Sequence, residues 1–318
     1  MKRIILKIVL FCLPFVVAIV VLFSIPVEKD FAYHFIKGNC YDHGSWVYDR
    51  VFKNETSIDV AFIGSSRTLH AVNEVEIEKL VNDSVRPSLN IANLGYCEPG
   101  RDFQYAVLKD LLKQKQPKLV VIEVTEDEQR SAHPSFPYIA DITDLLASPM
   151  LNEFYLKNLF KALSMRWEFV KYHYLFNNTI YTTDLAKYGY AKSERIVTDE
   201  ELDKNLNYWN RRMKRDHSSF FGKHADSYPL SYLEKSIALL NEKGVDYCFL
   251  FIPTVNGMVD HPIFQSYYEK QAKVYFLNRS LVSGVGYWMD ATHLNDKGST
   301  GVAIDLVQLI NNELCSNQ

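Results

Sequence analysis

Hydrophobic and polar positions along this chain alternate between two kinds of pattern. Continuous apolar runs at residues 58–63, 89–95, 119–124 and 247–252 suit buried strands of a parallel sheet, whose side chains are covered on both faces. A shorter run at 286–289 reads as the last strand. Between the runs, apolar positions recur at helical spacing. Phe103, Ala106, Val107, Leu111 and Leu112 share one face of a helix from about 102 to 115, with Pro117 beyond its end. Asn73 followed by Glu76 is a capping-box pattern opening a helix through Leu80. Ser231 with Glu234 opens another, which carries Ile237, Leu239 and Leu240 and ends at Gly244. Val302, Ala303, Leu306, Leu309 and Ile310 mark a closing helix from about Ser299. This order predicts an α/β fold, three layers α/β/α around a mostly parallel sheet.

Two stretches interrupt the alternation. Lys2, Arg3 and Lys7 lead into an apolar run over 8–25, about the length needed to cross a bilayer core of roughly 30 Å as a helix. Cations before the run, with Glu28 and Asp30 after it, predict a cytoplasmic N-terminus and place the rest of the chain outside the cytoplasm. Phe23-Ser24-Ile25-Pro26 lacks small-x-small cleavage chemistry, so the run reads as an uncleaved anchor. Cys12 lies inside the run behind Phe11 and is no lipid-attachment site. Residues 1–26 are then a membrane anchor, 27–57 a linker and N-terminal extension, and 58–318 the α/β domain, with a helical insertion at about 129–229. Within the insertion, 151–176 is helical and rich in aromatics, including Phe154, Phe160, Trp167 and Phe169. A second helix from about Asp199 runs into Arg211-Arg212-Met213-Lys214-Arg215. Two readings stand side by side: a lid or polymer-binding wall whose basic cluster faces phosphates or headgroups, and a packed helical subdomain with a solvated basic end.

Composition narrows the function classes. The 318 residues fit one α/β domain with an insertion, and a net charge of −3 supplies no basic field for a nucleic-acid partner. Aromatic residues reach 14%, with 20 tyrosines, suited either to packing sugars and acyl chains or to an ordinary core. The 5 cysteines lack metal-ligand spacing, and neither a metal nor a cofactor is expected. A Cys40 to Cys315 bridge is compatible with an oxidising compartment. Sequons at Asn54, Asn82, Asn177 and Asn278 matter only where the source glycosylates.

The candidate chemistry lies where strands end. Ser66, Gly95, Asp127 and Asp290 each follow a predicted strand, so four loops bring polar groups to the carboxyl edge, where such sheets bind ligands. Ile63-Gly64-Ser65-Ser66-Arg67 supplies a serine, and Asp290-Ala291-Thr292-His293-Leu294-Asn295 a histidine and a carboxylate. Those three groups are the minimum for acyl transfer through a serine ester: Ser66 needs a base, and His293 acts as one only if Asp290 holds its other nitrogen. His70 is close to Ser66 along the chain, and Asp260-His261 reads as a solvated loop pair.

Gly64-Ser65-Ser66, Asn93-Leu94-Gly95 and Asp290-x-x-His293-Leu294-Asn295-x-x-Gly298 resemble blocks of the SGNH/GDSL hydrolase superfamily over most of the chain outside the insertion. Ser65 stands where that family usually has aspartate, as in membrane-tethered relatives that act with partner acyltransferases in cell-surface O-acylation. The resemblance implies a flavodoxin-like sheet and a triad of Ser66, His293 and Asp290. The N–H groups of Ser66 and Gly95 would receive the oxyanion. The family's third block supplies an asparagine donor, but here Val124-Thr125-Glu126-Asp127 stands in its place, and Arg67 or Thr125 is the candidate substitute. The expected function is a membrane-anchored, extracytoplasmic serine esterase or O-acyltransferase, with an acylated surface glycan or lipid as substrate and a membrane-bound acyltransferase as candidate partner. The alternative is a non-catalytic binding or assembly component of an acylation complex. Nucleotide binding at Gly64 lacks a Walker lysine and G-x-G-x-x-G spacing.

Overall fold

The computed structural model describes residues 1–82, 88–147, 152–176, 187–213, 226–255 and 260–315. Helix α1 (Lys2–Ser24) is long and apolar enough to cross a membrane, and none of its residues is buried in the protein. Residues 25–28 lead directly into α2 (Lys29–Phe35) and α3 (His43–Tyr48). Phe31, Tyr33, Ile36, Trp46 and Val47 of this stretch are buried, so much of the N-terminal extension packs into the core.

The body alternates strand and helix: β1 (Val60–Ile63), α4 (Ser66–Ala71), α5 (Glu74–Asn82), β2 (Ile91–Asn93), α6 (Arg101–Gln114) and β3 (Leu119–Val124). Helices α7 (Phe136–Ile139), α8 (Ile142–Leu146), α9 (Tyr155–Val170) and α10 (Asp199–Met213) form the insertion, which contains no strand among the described residues. The chain then returns through α11 (Ser227–Lys243), β4 (Asp246–Phe251), α12 (Gln265–Gln271), β5 (Val274–Phe276) and α13 (Asp296–Cys315).

All strand pairs are parallel, in the order β2-β1-β3-β4-β5. Alternate side chains serve two cores. Ala61, Ile63, Val120, Ile122 and Phe249 pack with α6 and α11, while Val60, Phe62, Leu119, Val121 and Leu250 pack with α5 and α13. Helices on both faces explain the unbroken apolar runs, because each such side chain gains about 1.5–3 kcal/mol by leaving water whichever way it points. The connection from β1 runs to β2 on one side, and the connection from β2 crosses back over β1 to β3, so the winding reverses between β1 and β3, where a crevice opens at their carboxyl ends.

Three sequence expectations change. Residues 286–289 are not a strand: a 3-10 turn at Val285–Tyr287 leads to a lone antiparallel bridge between Trp288 and Leu294. Trp288 is fully buried and donates its indole N–H to the Val282 carbonyl, so the apolar run fills the core under α13 without joining the sheet. The fifth strand is β5. Helix α11 begins at Ser227, upstream of the expected Ser231 cap, because Pro229 is tolerated in a first turn, and Ser231 bonds back to the Tyr228 carbonyl. Its other end is as expected, with Gly244 left-handed at φ +63°. Finally, Cys40 bridges Cys97 and not Cys315, joining the N-terminal extension to the loop after β2 with a Cα–Cα distance of 5.7 Å.

That bridge closes a loop with a sequence separation of 57 residues. In the chain-entropy description, replacing both cysteines by serine lowers unfolding free energy by about 4 kcal/mol. Peptide mapping without reductant should recover Cys40 linked to Cys97; a Cys40 to Cys315 peptide would refute the pairing.

Candidate active site

Strand β1 ends at Ile63, and the chain turns through Gly64 and Ser65 into α4. Ser65 caps that helix, its hydroxyl accepting the Arg67 N–H at 3.2 Å. The turn is fastened from the neighbouring strand. Glu123, buried near the end of β3, accepts the Ser65 N–H at 2.6 Å, the Ser65 hydroxyl at 2.8 Å, the Thr68 hydroxyl at 2.5 Å and the Thr68 N–H at 3.3 Å. A side chain at position 64 would overlap Thr68 Oγ1 and the Glu123 carboxylate, so only glycine fits this approach.

Ser66, in the first turn of α4, is half-buried. Its Oγ lies 2.7 Å from His293 Nε2, and His293 Nδ1 lies 2.7 Å from Asp290 Oδ2. A carboxylate only accepts, so Nδ1 carries the proton and Nε2 is left to accept from Ser66, the tautomer a general base requires. The loop before α13 sets this geometry. Asp290 Oδ1 accepts the N–H groups of Thr292 at 2.8 Å and His293 at 2.9 Å, and Met289 N–H closes the turn onto the His293 carbonyl. Asn295 ends the loop, its Oδ1 accepting the Gly298 N–H at 3.0 Å as α13 begins. Burial works to raise the Asp290 pKa, but the hydrogen bond and charge of His293, with the two backbone N–H groups, hold it well below the usual carboxylate range.

Other expected residues sit close by in different roles. The Gly95 N–H donates to Asn93 Oδ1 at 3.0 Å, and Asn93 Nδ2 donates to the carbonyls of Thr68, Leu69 and Val72, which secures the far end of α4. Arg67 is buried and paired with Glu126 at 2.7 Å, across the crevice between the loops after β1 and β3. Thr125 closes its own turn onto the Asp127 carbonyl at 2.9 Å. The Ser66 N–H has no acceptor among the described residues and remains open as a donor. His70 packs edge-on against the His293 ring, 5.3 Å between centroids, and bonds the Ala191 carbonyl. Burial, with the neighbouring His293 adding to it, lowers the His70 pKa to about 4, leaving it neutral as a spacer. Asp260 forms an exposed ion pair with Arg279. The side chains of the basic cluster at 211–215 lie outside the described residues.

Two components were not anticipated. The sequence pattern marks Glu123 only as part of a strand, although an acid inside a run that is buried on both faces has to find donors. The second is an extended strap, residues 187–198, which lies within the insertion and leads into α10. It pairs with α4 through Ala191 N–H and the Leu69 carbonyl, and with α13 through Asp296 N–H and the Ser193 carbonyl. Tyr190 reaches Asp296 and Ser299, and the N–H groups of Gly189 and Tyr190 donate to Glu74, which also accepts the Asn93 N–H. Burial pushes Glu74 up to about 7, with those three N–H groups and Arg50 opposing it.

The two buried acids give separate expectations. Glu123→Ala strands several buried donors at once and should lower unfolding free energy by on the order of 3 kcal/mol, while Thr68→Val, which removes one of them, costs about 1 kcal/mol. Equal losses in denaturant titrations would contradict the fastening role. For Glu74, the folded pKa lies above the unfolded one, so between the two values the folded state keeps a proton that the unfolded chain has shed. Its stabilising contribution is complete below about pH 4.3, falls as pH rises toward 7 and is flat above, a total on the order of 3 kcal/mol. Thermal midpoints of the wild type should decline over that window more steeply than those of Glu74→Gln; parallel curves would contradict the shift.

Comparison with protein-family models finds no match, and comparison with curated proteins finds none either.

Proposed function

We propose that this chain is a membrane-anchored, extracytoplasmic serine esterase or O-acyltransferase of the SGNH/GDSL type, acting on acyl esters of a cell-surface glycan or lipid. The observation that carries the reading is the hydrogen-bonded line from Ser66 Oγ through His293 to Asp290, 2.7 Å at each step. Ser66 Oγ bonds to the acyl carbon as its proton passes to His293 Nε2, with Asp290 stabilising the imidazolium. The tetrahedral intermediate expels the alcohol, which takes the proton back, leaving an acyl ester on Ser66. Water or a second hydroxyl then attacks that ester, His293 taking its proton and returning it to Ser66 Oγ as the bond from that oxygen to the acyl carbon breaks, which frees the acid or the new ester. The strand order fits the flavodoxin-like, three-layer form of this reading. The outside location is supported by the cations in the first turns of α1 and by the Cys40–Cys97 bridge, since such bonds persist in oxidising compartments.

A second reading has its own support. With the Gly95 N–H donated to Asn93 and Arg67 paired to Glu126, the Ser66 N–H stands as the open oxyanion donor among the described residues. Loss of one such donor costs roughly a hundredfold or more in turnover, which favours a binding or assembly component that keeps the fold.

A fluorophosphonate probe separates the two. The full-length protein in detergent should label, Ser66→Ala should not, and His293→Ala should label at least about a hundredfold more slowly with an unchanged thermal midpoint. A folded wild type that resists labelling would rule out the nucleophile and leave the binding component.

A further inference from the structure

Helix α9 is apolar on two opposite faces. Asn158, Ala162, Met165, Arg166 and Phe169 are buried against the protein. At 100° per residue, Leu156, Phe160 and Trp167 project from the other side within about 40° of one another. They are 78%, 70% and 49% exposed. A surface helix ordinarily presents polar residues there, and a helix apolar on both sides needs a second apolar neighbour. Exposed Tyr174, Leu175 and Phe176 continue the patch beyond its end.

The fold places α9 beside the anchor. Helix α1 packs on α9, with the Arg166 guanidinium 5.3 Å from the Phe23 ring in its last turn. Just past the anchor, Phe31 stacks edge-on against Phe169 at 5.1 Å. Lys157, Lys161 and Lys171 accompany the aromatics against Glu168, the composition of a helix lying at an anionic membrane surface, with Trp and Tyr at headgroup depth. We infer that α9 lies in the interfacial layer of the bilayer that α1 crosses, its Leu156, Phe160 and Trp167 face seated among lipid, so that the domain is docked on the membrane and not merely tethered to it. The inference rests on α1 as a membrane span and is independent of the chemistry at Ser66.

The test uses the full-length protein reconstituted into phosphatidylcholine and phosphatidylglycerol vesicles, with acyl chains brominated near their headgroup end. Emission from Trp167 is the difference between the wild type and Trp167→Phe, an exposed and conservative change. Flotation that survives carbonate washing reports insertion of α1. With flotation retained, the inference expects brominated lipid to remove most of the Trp167 emission and aqueous iodide to leave it nearly intact. Flotation with the opposite quenching pattern puts this face in water, as a surface reserved for a protein partner would be, and overturns the inference. Loss of flotation removes the span itself and the inference with it.

Discussion

The position of Ser66 depends on one buried carboxylate. Glu123 takes the N–H groups and hydroxyls of Ser65 and Thr68, and thereby fastens the turn after β1 to the adjacent strand at the middle of the sheet. A turn held only by its own loop would drift. A displacement of about an ångström in a reacting group can cost a hundredfold in rate, so a serine placed to meet an imidazole gains from a rigid foundation. Gly64 is part of the same device, because the carboxylate comes close enough only where no side chain intervenes.

From the other direction, His293 is held by different means. Its loop is organised by Asp290, which gathers two backbone N–H groups as well as the imidazole, and by Asn295 at the start of α13. His70 and the strap then fill the space behind the imidazole ring. The insertion is therefore not an appendage. Its strap, residues 187–198, is hydrogen-bonded to α4, α5 and α13, so it braces both halves of the site.

Legibility from sequence followed locality. Strands β1, β3 and β4 were readable because burial on both faces forces continuous apolar runs, whereas β5 is three residues of an edge strand, partly exposed, with too little pattern to detect. The 286–289 run misled because Trp288 needs burial, which a core plug satisfies as well as a strand does. Asp290 and His293 were readable since their relation is a property of one short turn. Glu123 and the strap were not: which strand lies beside β1, and where a segment of the insertion comes to rest, are decided by tertiary structure. The tyrosine content divides in the same way. Tyr33, Tyr228 and Tyr268 are core residues whose hydroxyls bond Asp110, Asp102 and Glu128, so much of that aromatic excess is structural.

The separation of 227 residues between Ser66 and His293 has a bearing on how the protein comes into being. Domains assemble broadly from the N-terminus as the chain is made, and contacts between distant segments form late. Strands β1 to β3 can pair, and Glu123 can fasten its turn, while the last helix is still being synthesised. Until that helix docks, the serine stands without its imidazole. An interrupted or clipped chain would thus hold a well-positioned but inert hydroxyl, and the complete constellation exists only in a molecule whose whole length has arrived.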